Sequence, residues 1–369
     1  MRSRALLPVT VCAAFVMAVS ACASSKTVSG GSPASSGAKA VSKGKIGVIL
    51  PDTKSSARWA NDDAPLLTAA FKQAGVSYDI QNAQGDATQM QTIADQMITS
   101  GVTVLVITNL DSGSGKAIET KAAANGVATI DYDRLTLGGS AQYYVSFDNV
   151  AVGKLQGQGL VNCLQAQGAK KPVVAELNGS PTDNNATLFA QGYNSVLDPL
   201  YANGTLVKGP NQSVPNWDNQ QAGTIFEQML TAQPNIGGVL SANDGLGGAV
   251  IAILSKNHRN GKVPVTGQDA TVSGLQDILA GDQCMTVYKA VKKEASAAAE
   301  LAVALDKGQK PAAPNQTYDP VGKRQVPSVL LTPEAITKSN IKEVIGDGYV
   351  TRAQLCTGAY AALCTAAGL

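Results

Sequence analysis

Ten side chains in this sequence are of the kinds that hold a small polyhydroxylated molecule: Arg58, Trp59, Asp133, Arg134, Asp183, Asn185, Trp217, Asn243, Asp269 and Lys289. A hydroxyl both donates and accepts, so a site for several hydroxyls needs carboxylates to accept and Arg, Lys and amides to donate. A hydroxyl buried without a partner costs about 1–3 kcal/mol, which makes a full set of partners a requirement. The C–H faces of such a ring need flat apolar cover, which an indole supplies. The chain has 2 Trp, and both belong to this set. Taken singly, an Asp or Asn in such a place is more often a helix N-cap, and Asn243 or Asp244 fits that role. As a set, the ten read as a ligand site suited to a small sugar.

The set gains weight from where it stands. Short apolar, β-branched runs at 45–50, 77–82, 102–108 and 127–132 alternate with helical patterns at 64–74, 88–100 and 116–125. Glycines close the first two helical patterns, as expected at helix C-termini. After 143–147 the alternation restarts, with strands expected at 172–177, 205–208, 238–241, 263–266 and 284–288 and helices at 152–165, 185–197, 219–232, 247–256 and 271–280. Apolar strands interleaved with helices predict βαβ units and parallel sheets covered on both faces. Two successive α/β halves follow, with a seam near Asp148. A helix at 291–307 and the stretch from Val326 onward are left over, and are expected to cross back between the halves. Ligands in open parallel sheets bind beyond the carboxyl ends of the strands. Nearly every strand exit here carries one of the ten residues.

The beginning of the chain sets a compartment. Arg2 and Arg4 precede an apolar stretch from 5 to 19, which ends in Val19-Ser20-Ala21-Cys22. That is the pattern of a secretory signal, and Cys in the first mature position resembles the bacterial lipobox. Residues 1–21 are expected as signal peptide, Cys22 as the lipidated residue, and 22–44, rich in Ser, Gly, Ala and Lys, as a flexible tether. The protein is thus expected outside the cytoplasm, on the outer face of the cell membrane, with no contact to the bilayer except the anchor. With 29 Lys and Arg against 27 Asp and Glu, no basic surface argues for nucleic acid.

Beyond Cys12 and Cys22 stand Cys163, Cys284, Cys356 and Cys364, an even number that allows three pairings. Cys356 and Cys364 are near in sequence and are paired here, leaving Cys163 with Cys284. No spacing suits zinc, and the single histidine, His258, lies in a loop-like stretch. Gly113-Ser114-Gly115-Lys116 lacks the first glycine and the following hydroxyl of a phosphate loop. Gly346-Asp347-Gly348 would ask Ile345 and Gln354 to ligate calcium. No metal and no cofactor is expected.

Several short stretches carry a resemblance: Ala57-Arg58-Trp59, Thr88-Gln89-Met90, Asp131-Tyr132-Asp133-Arg134, Ser146-Phe147-Asp148-Asn149, Gly179-Ser180-Pro181-Thr182-Asp183-Asn184-Asn185-Ala186, Ala242-Asn243-Asp244, Gly267-Gln268-Asp269-Ala270, Met285-Thr286-Val287-Tyr288-Lys289, Val326-Pro327-Ser328 and Leu331-Thr332-Pro333. In order and spacing the chain resembles the periplasmic monosaccharide-binding proteins of ABC importers, those of the D-xylose type above all. The resemblance implies a type I periplasmic binding protein fold: two doubly wound α/β domains joined by a three-crossover hinge. The first lobe would be 45–147 plus about 291–325, and the second 148–290 plus about 326–369. It also implies that the ten residues contact one pyranose, D-xylose or a related aldose, that an ABC permease is the partner, and that the protein is a monomer. The four body cysteines depart from the pattern.

Three other functions compete. Asp133 and Asp183 could pair as acid and base in a carbohydrate-active enzyme, but their neighbours in the set are Arg, Lys and Asn, as a binding site requires. A sugar-responsive repressor shares the bilobed fold but needs a DNA-binding head, where this chain has a signal and a tether. A receptor for several aldoses that feeds chemotaxis or signalling is the third.

Overall fold

The computed structural model describes residues 44–369. The expected signal segment, Cys22 and the tether up to residue 43 lie outside the described residues. The first half runs β1 (Lys45–Leu50), α1 (Ala64–Ala74), β2 (Ser77–Asn82), α2 (Ala87–Thr99), β3 (Val102–Ile107), α3 (Ser112–Ala124), β4 (Ala128–Tyr132) and β5 (Tyr143–Phe147). The second runs α4 (Asn149–Ala166), β6 (Val173–Asn178), α5 (Asn184–Ala202), β7 (Val207–Ser213), α6 (Asn219–Ala232), β8 (Ile236–Ser241), α7 (Asp244–Lys256), α8 (Val272–Ala280) and β9 (Thr286–Tyr288). There follow α9 (Val291–Asp306), β10 (Asn315–Asp319), β11 (Arg324–Leu331), β12 (Glu334–Ile336), α10 (Lys342–Gly346), α11 (Arg352–Leu355) and α12 (Tyr360–Ala366).

Local chemistry explains the boundaries. Asp86, Asp111, Asp148, Asp183, Asp218, Asn243 and Thr271 each accept a backbone N–H of the helix they precede, which satisfies donors that the helix itself leaves open. The cap at Asp111 starts α3 at Ser112, ahead of the expected 116, so the Gly113-Ser114-Gly115-Lys116 stretch is the first turn of an ordinary helix. Gly75 takes φ 66° to end α1.

One sheet has seven strands in the order β10-β11-β5-β4-β3-β1-β2, parallel throughout except for the β10–β11 pair. The other half holds a three-stranded parallel sheet, β7-β6-β8, and the antiparallel pair β12-β9. Between these two, only the isolated bridges Val239–Val265 and Thr266–Met285 continue the sheet, so the strand expected at 263–266 is reduced to single pairings. The chain passes between the halves from β5 to α4, from β9 to α9 and from β11 to β12. The last passage comes after Leu331 rather than at Val326, because β11 pairs with β5 in the large sheet from Ser328 to Leu331. The polar hairpin strand β10 was not expected at all. Among the described residues no helix is long and apolar enough to cross a membrane.

Cys163 on α4 is bonded to Cys284, just before β9, with Cα atoms 6.4 Å apart. Cys356 is bonded to Cys364 across a Cα separation of 5.8 Å. This second bond staples the C-terminal segment, whose Leu355 and Cys364 pack with Leu275, Ile278 and Leu279 of α8.

Candidate ligand-binding site

All ten residues singled out in the sequence line one cavity, together with Ser55, Ser56, Phe189 and Gln268. The first half contributes from the exits of β1 and β4, and the second half from the exits of β6, β7, β8 and β9 and from the 267–269 stretch. Every one of the ten is buried, the least so at 6% exposure.

Arg58 opens a short π-helical turn, Trp59–Asp63. Its Nε and Nη2 donate to both carboxylate oxygens of Asp63 at 2.8 and 2.7 Å, Nη1 to Asp133 at 2.9 Å and Nη2 to Glu294 at 2.5 Å. Four of the five guanidinium N–H groups are thus directed at three carboxylates. Arg58 also lies 4.5 Å from the centre of the Trp59 ring, with Arg134 at 5.6 Å. Burial on its own would raise the Asp133 carboxyl, but Lys289, Arg58 and Arg134 outweigh it and hold it at about 2. Burial likewise would lower Lys289, yet Asp133 at 3.5 Å and Asp269 at 3.3 Å raise it. The site is therefore a lattice of fixed charges.

Two helix caps, Asp183 and Asn243, are also lining residues of the cavity. Asp183 caps α5 through Oδ1, which accepts the Asn185 N–H at 2.9 Å, while its Oδ2 accepts from Trp217 Nε1 at 3.1 Å and lies 3.0 Å from Arg134 Nε. Asn243 caps α7 through Oδ1, leaving its Nδ2 to donate across the cleft to the Ser55 carbonyl at 3.3 Å. Ser56 Oγ donates to Asp269 Oδ2 at 3.0 Å, and Asn185 Nδ2 to Asp133 Oδ1 at 3.1 Å. These contacts join the two halves. By contrast, Asp244 faces inward, held by Thr271, Gln283 and Thr286, and burial pushes it up to about 7.

Three of the ten, Asp133, Trp217 and Asp269, have φ of 63°, 55° and 94°. L-residues rarely occupy that region, and such residues persist where the surroundings over-determine them. At Asp133 the carbonyl accepts from Tyr144 Oη, Ser146 Oγ and Asn185 Nδ2, at 3.1, 2.8 and 2.9 Å. Trp217 packs so closely over Gly179 that a Cβ there would collide with the indole, and Phe189 meets it edge-on at 6.4 Å.

Three polar atoms of cavity-lining residues are buried with no hydrogen-bond partner among the described residues: Arg134 Nε, Gln268 Oε1 and Asp269 Oδ1. The neighbours of Arg134 Nε and Asp269 Oδ1, at 3.0 and 3.3 Å, are close enough for ionic attraction but not aligned for a hydrogen bond. Of the four lining residues not anticipated, Gln268 stands beside Asp269 in the Gly267-Gln268-Asp269-Ala270 motif, and Ser55 and Ser56 shortly precede Arg58. Adjacency was their only signal. Phe189, on α5, had none. Among the described residues no group of three or more His, Cys, Asp or Glu side chains is placed to hold a metal ion.

Residues 46–310 match the family model described as the periplasmic binding protein domain. The chain belongs to this family. A D-xylose-binding periplasmic protein of Escherichia coli strain K12 is 38% identical over 314 residues, covering 84% of this chain and 92% of that protein. The multiple sugar-binding periplasmic receptor ChvE of Rhizobium radiobacter is 36% identical over 325 residues, covering 84% and 91%. Among solved periplasmic binding proteins, an ABC transporter solute-binding protein from Clostridium phytofermentans with bound β-D-glucose superimposes with a TM-score of 0.79 at 29% identity, covering 84% of this chain and 99% of that one. A carbohydrate transporter solute-binding protein from Chloroflexus aurantiacus in complex with D-glucose gives a TM-score of 0.77 at 30% identity, covering 84% and 97%. The resemblance drawn from the short motifs and the expected type I fold both hold.

Proposed function

We propose that this chain is the extracytoplasmic solute-binding protein of an ABC importer, capturing a monosaccharide with D-xylose as the first candidate and handing it to a membrane permease. One observation carries the reading. The cavity combines two indoles with a buried donor, Arg134 Nε, and two buried acceptors, Gln268 Oε1 and Asp269 Oδ1, none of which has a hydrogen-bond partner among the described residues. Groups of that kind are costly unless a ligand's hydroxyls meet them. The ten lining residues are the proposed sugar contacts, and the names of the relatives agree with that chemistry.

The cavity is about 30 Å³, room for a water or two. A pyranose therefore enters only when the lobes separate. We take the lobes as 45–147 with 291–331 and 148–290 with 332–369, hinged at the three chain passages. We take the protein as a binder rather than an enzyme; three cations hold Asp133 ionised, which removes it as the proton donor of an acid-and-base pair. Cys22 is the proposed lipid attachment point, the tether holds the body near the membrane, and the protein works as a monomer. Cys22→Ser should release it from the membrane fraction, and unchanged mass and localisation would contradict the anchor. A receptor for several aldoses that feeds signalling is the second reading, favoured by the ChvE relative.

Calorimetric titration with a panel of aldoses tests the proposal. D-xylose is expected to bind with about 8 kcal/mol, corresponding to micromolar affinity. Equal affinity for several aldoses would favour the second reading, and no binding by any would overturn both.

A further inference from the structure

Behind the sugar contacts lies a buried carboxyl that the binding reading leaves unused. Glu294 sits in the first turn of α9, just after the chain has crossed from β9 through Lys289 and Ala290. Its side chain is fully buried. Oε2 accepts from Arg58 Nη2 at 2.5 Å, and Oε1 is buried with no hydrogen-bond partner among the described residues.

Four neighbouring segments supply the charged and titratable groups that face Glu294. They are Arg58 and Asp63 from the π-helical turn, Tyr132 and Asp133 from β4 and its exit, Tyr144 from β5 and Lys289 from the β9 exit. Asp63 already binds Arg58 through both oxygens, and Asp133 takes a third N–H. Lys289 is shared between Asp133 and Asp269. Three carboxylates thus share one guanidinium and part of one ammonium, and Arg134, which also acts on Asp133, is already paired with Asp183 at 3.0 Å. With all three ionised the cluster would be an unbalanced buried anion, which the protein interior does not tolerate without a proton. Asp133 and Asp63 have well-made charged partners, whereas Glu294 has an oxygen with none.

We propose that Glu294 is a positioning residue of the sugar site that works in its protonated form, fixing Arg58 and through it Asp133, so that sugar binding is linked to one proton on the α9 carboxyl. Burial pushes this carboxyl up to about 8, with Asp133 and Asp63 adding to the rise and Arg58 and Lys289 opposing it. The folded protein then holds a proton at Glu294 that the unfolded chain releases. The associated stability is complete below the ordinary glutamate value and is lost as pH rises towards about 8. Ionised, Glu294 would compete with Asp133 for Arg58, so the arrangement that presents Asp133 to the sugar favours the same protonated form. Affinity should therefore be level up to about pH 8 and fall above it. Of the other groups facing Glu294, Arg58, Lys289, Tyr132 and Tyr144 are all raised and Asp133 is held at about 2, so none of these changes charge there. Asp244, pushed up to about 7, titrates nearby but belongs to the other lobe and stays in every variant below.

The inference rests on the sugar-binding reading, and two measurements separate their fates. The first is calorimetry with D-xylose between pH 6 and 9.5 on the parent, Glu294→Gln and Glu294→Ala. The parent should lose affinity by roughly threefold to tenfold above pH 8, the size of a pKa shift of up to one unit on binding. Glu294→Gln, a permanent mimic of the neutral acid, should bind within about threefold of the parent at pH 7 and show no such loss. Glu294→Ala should bind at least about tenfold more weakly, since Arg58 is left without its anchor. A level parent profile, or a folded Glu294→Gln that fails to bind at pH 7, would overturn the proposal. The second measurement needs no sugar. With carbon-13 in the glutamate carboxyls, the resonance that disappears in Glu294→Gln should titrate above pH 7, and a midpoint below pH 6 would overturn the proposal even if no aldose binds.

Discussion

The two lobes use one architecture but hold their strand ends by different means. In the first, seven strands form a continuous ladder, and β1, β3, β4 and β5 are buried almost throughout. In the second, the ladder breaks after β8, and only single bridges join it to the 263–266 segment and to Met285. Side chains replace the missing rungs. Gln156 Nε2 donates to the carbonyl of Ala242 at 2.9 Å and lies 3.3 Å from those of Ser241 and Gly267, and Asp244 ties Thr271, Gln283 and Thr286 together. Both disulfides present among the described residues also lie in this lobe. Asn243, Asp269 and Lys289 all project from the broken region. A parallel sheet can thus hold polar groups at its strand ends without a full ladder, provided that covalent and polar cross-links fix the ends instead.

Breaking those cross-links one at a time should separate the lobes. Cys163–Cys284 closes the longer loop, with a sequence separation of 121, and chain entropy assigns such a closure about 5 kcal/mol. Replacing both residues by Ser should raise amide exchange in β9 and in 263–270 while leaving β1–β5 unchanged. Equal loss of protection in β1–β5 would contradict the independence of the lobes. Cys356–Cys364 spans a separation of only 8, so its removal should cost about 2–3 kcal/mol, read as faster exchange confined to α8, α11 and α12.

A smaller effect sharpens the contact between the lobes. Asp133 of the first lobe is held at about 2 chiefly by Lys289 of the second. Its folded value lies below the ordinary 3.8, so its contribution is complete above that value and is lost as pH falls through about 2. The sum is roughly 2 kcal/mol. Both Trp of the sequence line the cleft, so indole fluorescence should report a transition in this acid window that Asp133→Asn removes.

The sequence exposed the first lobe's strands, the alternation of elements and all ten cleft residues, because apolar runs and charged or indole exits are visible without coordinates. Other parts were hidden for physical reasons. The edge strand β10 is largely polar and has no apolar run to notice, and β7, expected at 205–208, runs on through a polar stretch with Pro210 to Ser213. The segment at 263–266 looks apolar enough for a strand yet makes only single bridges. Glu294 was invisible because a glutamate in the first turn of an alanine-rich helix reads as solvated surface, and only the fold sets it against Arg58. Asp183 and Asn243 were legible in two ways at once: both are helix N-caps, and both also line the cavity.

The central claim is that strand-exit groups from both lobes hold one sugar, and Asp269 tests it most directly. Asparagine is the better replacement for it than alanine, because φ here is 94° and Asn tolerates such backbone. The change removes the charge that faces Lys289 at 3.3 Å and accepts from Ser56 of the other lobe. Asp277, a partly buried carboxylate on α8 away from the cavity, is the control. Calorimetry with D-xylose at pH 7 should show Asp269→Asn binding at least about tenfold more weakly than the parent, with Asp277→Ala unchanged. Parent-like binding by Asp269→Asn, or equal failure of both variants, would contradict the account.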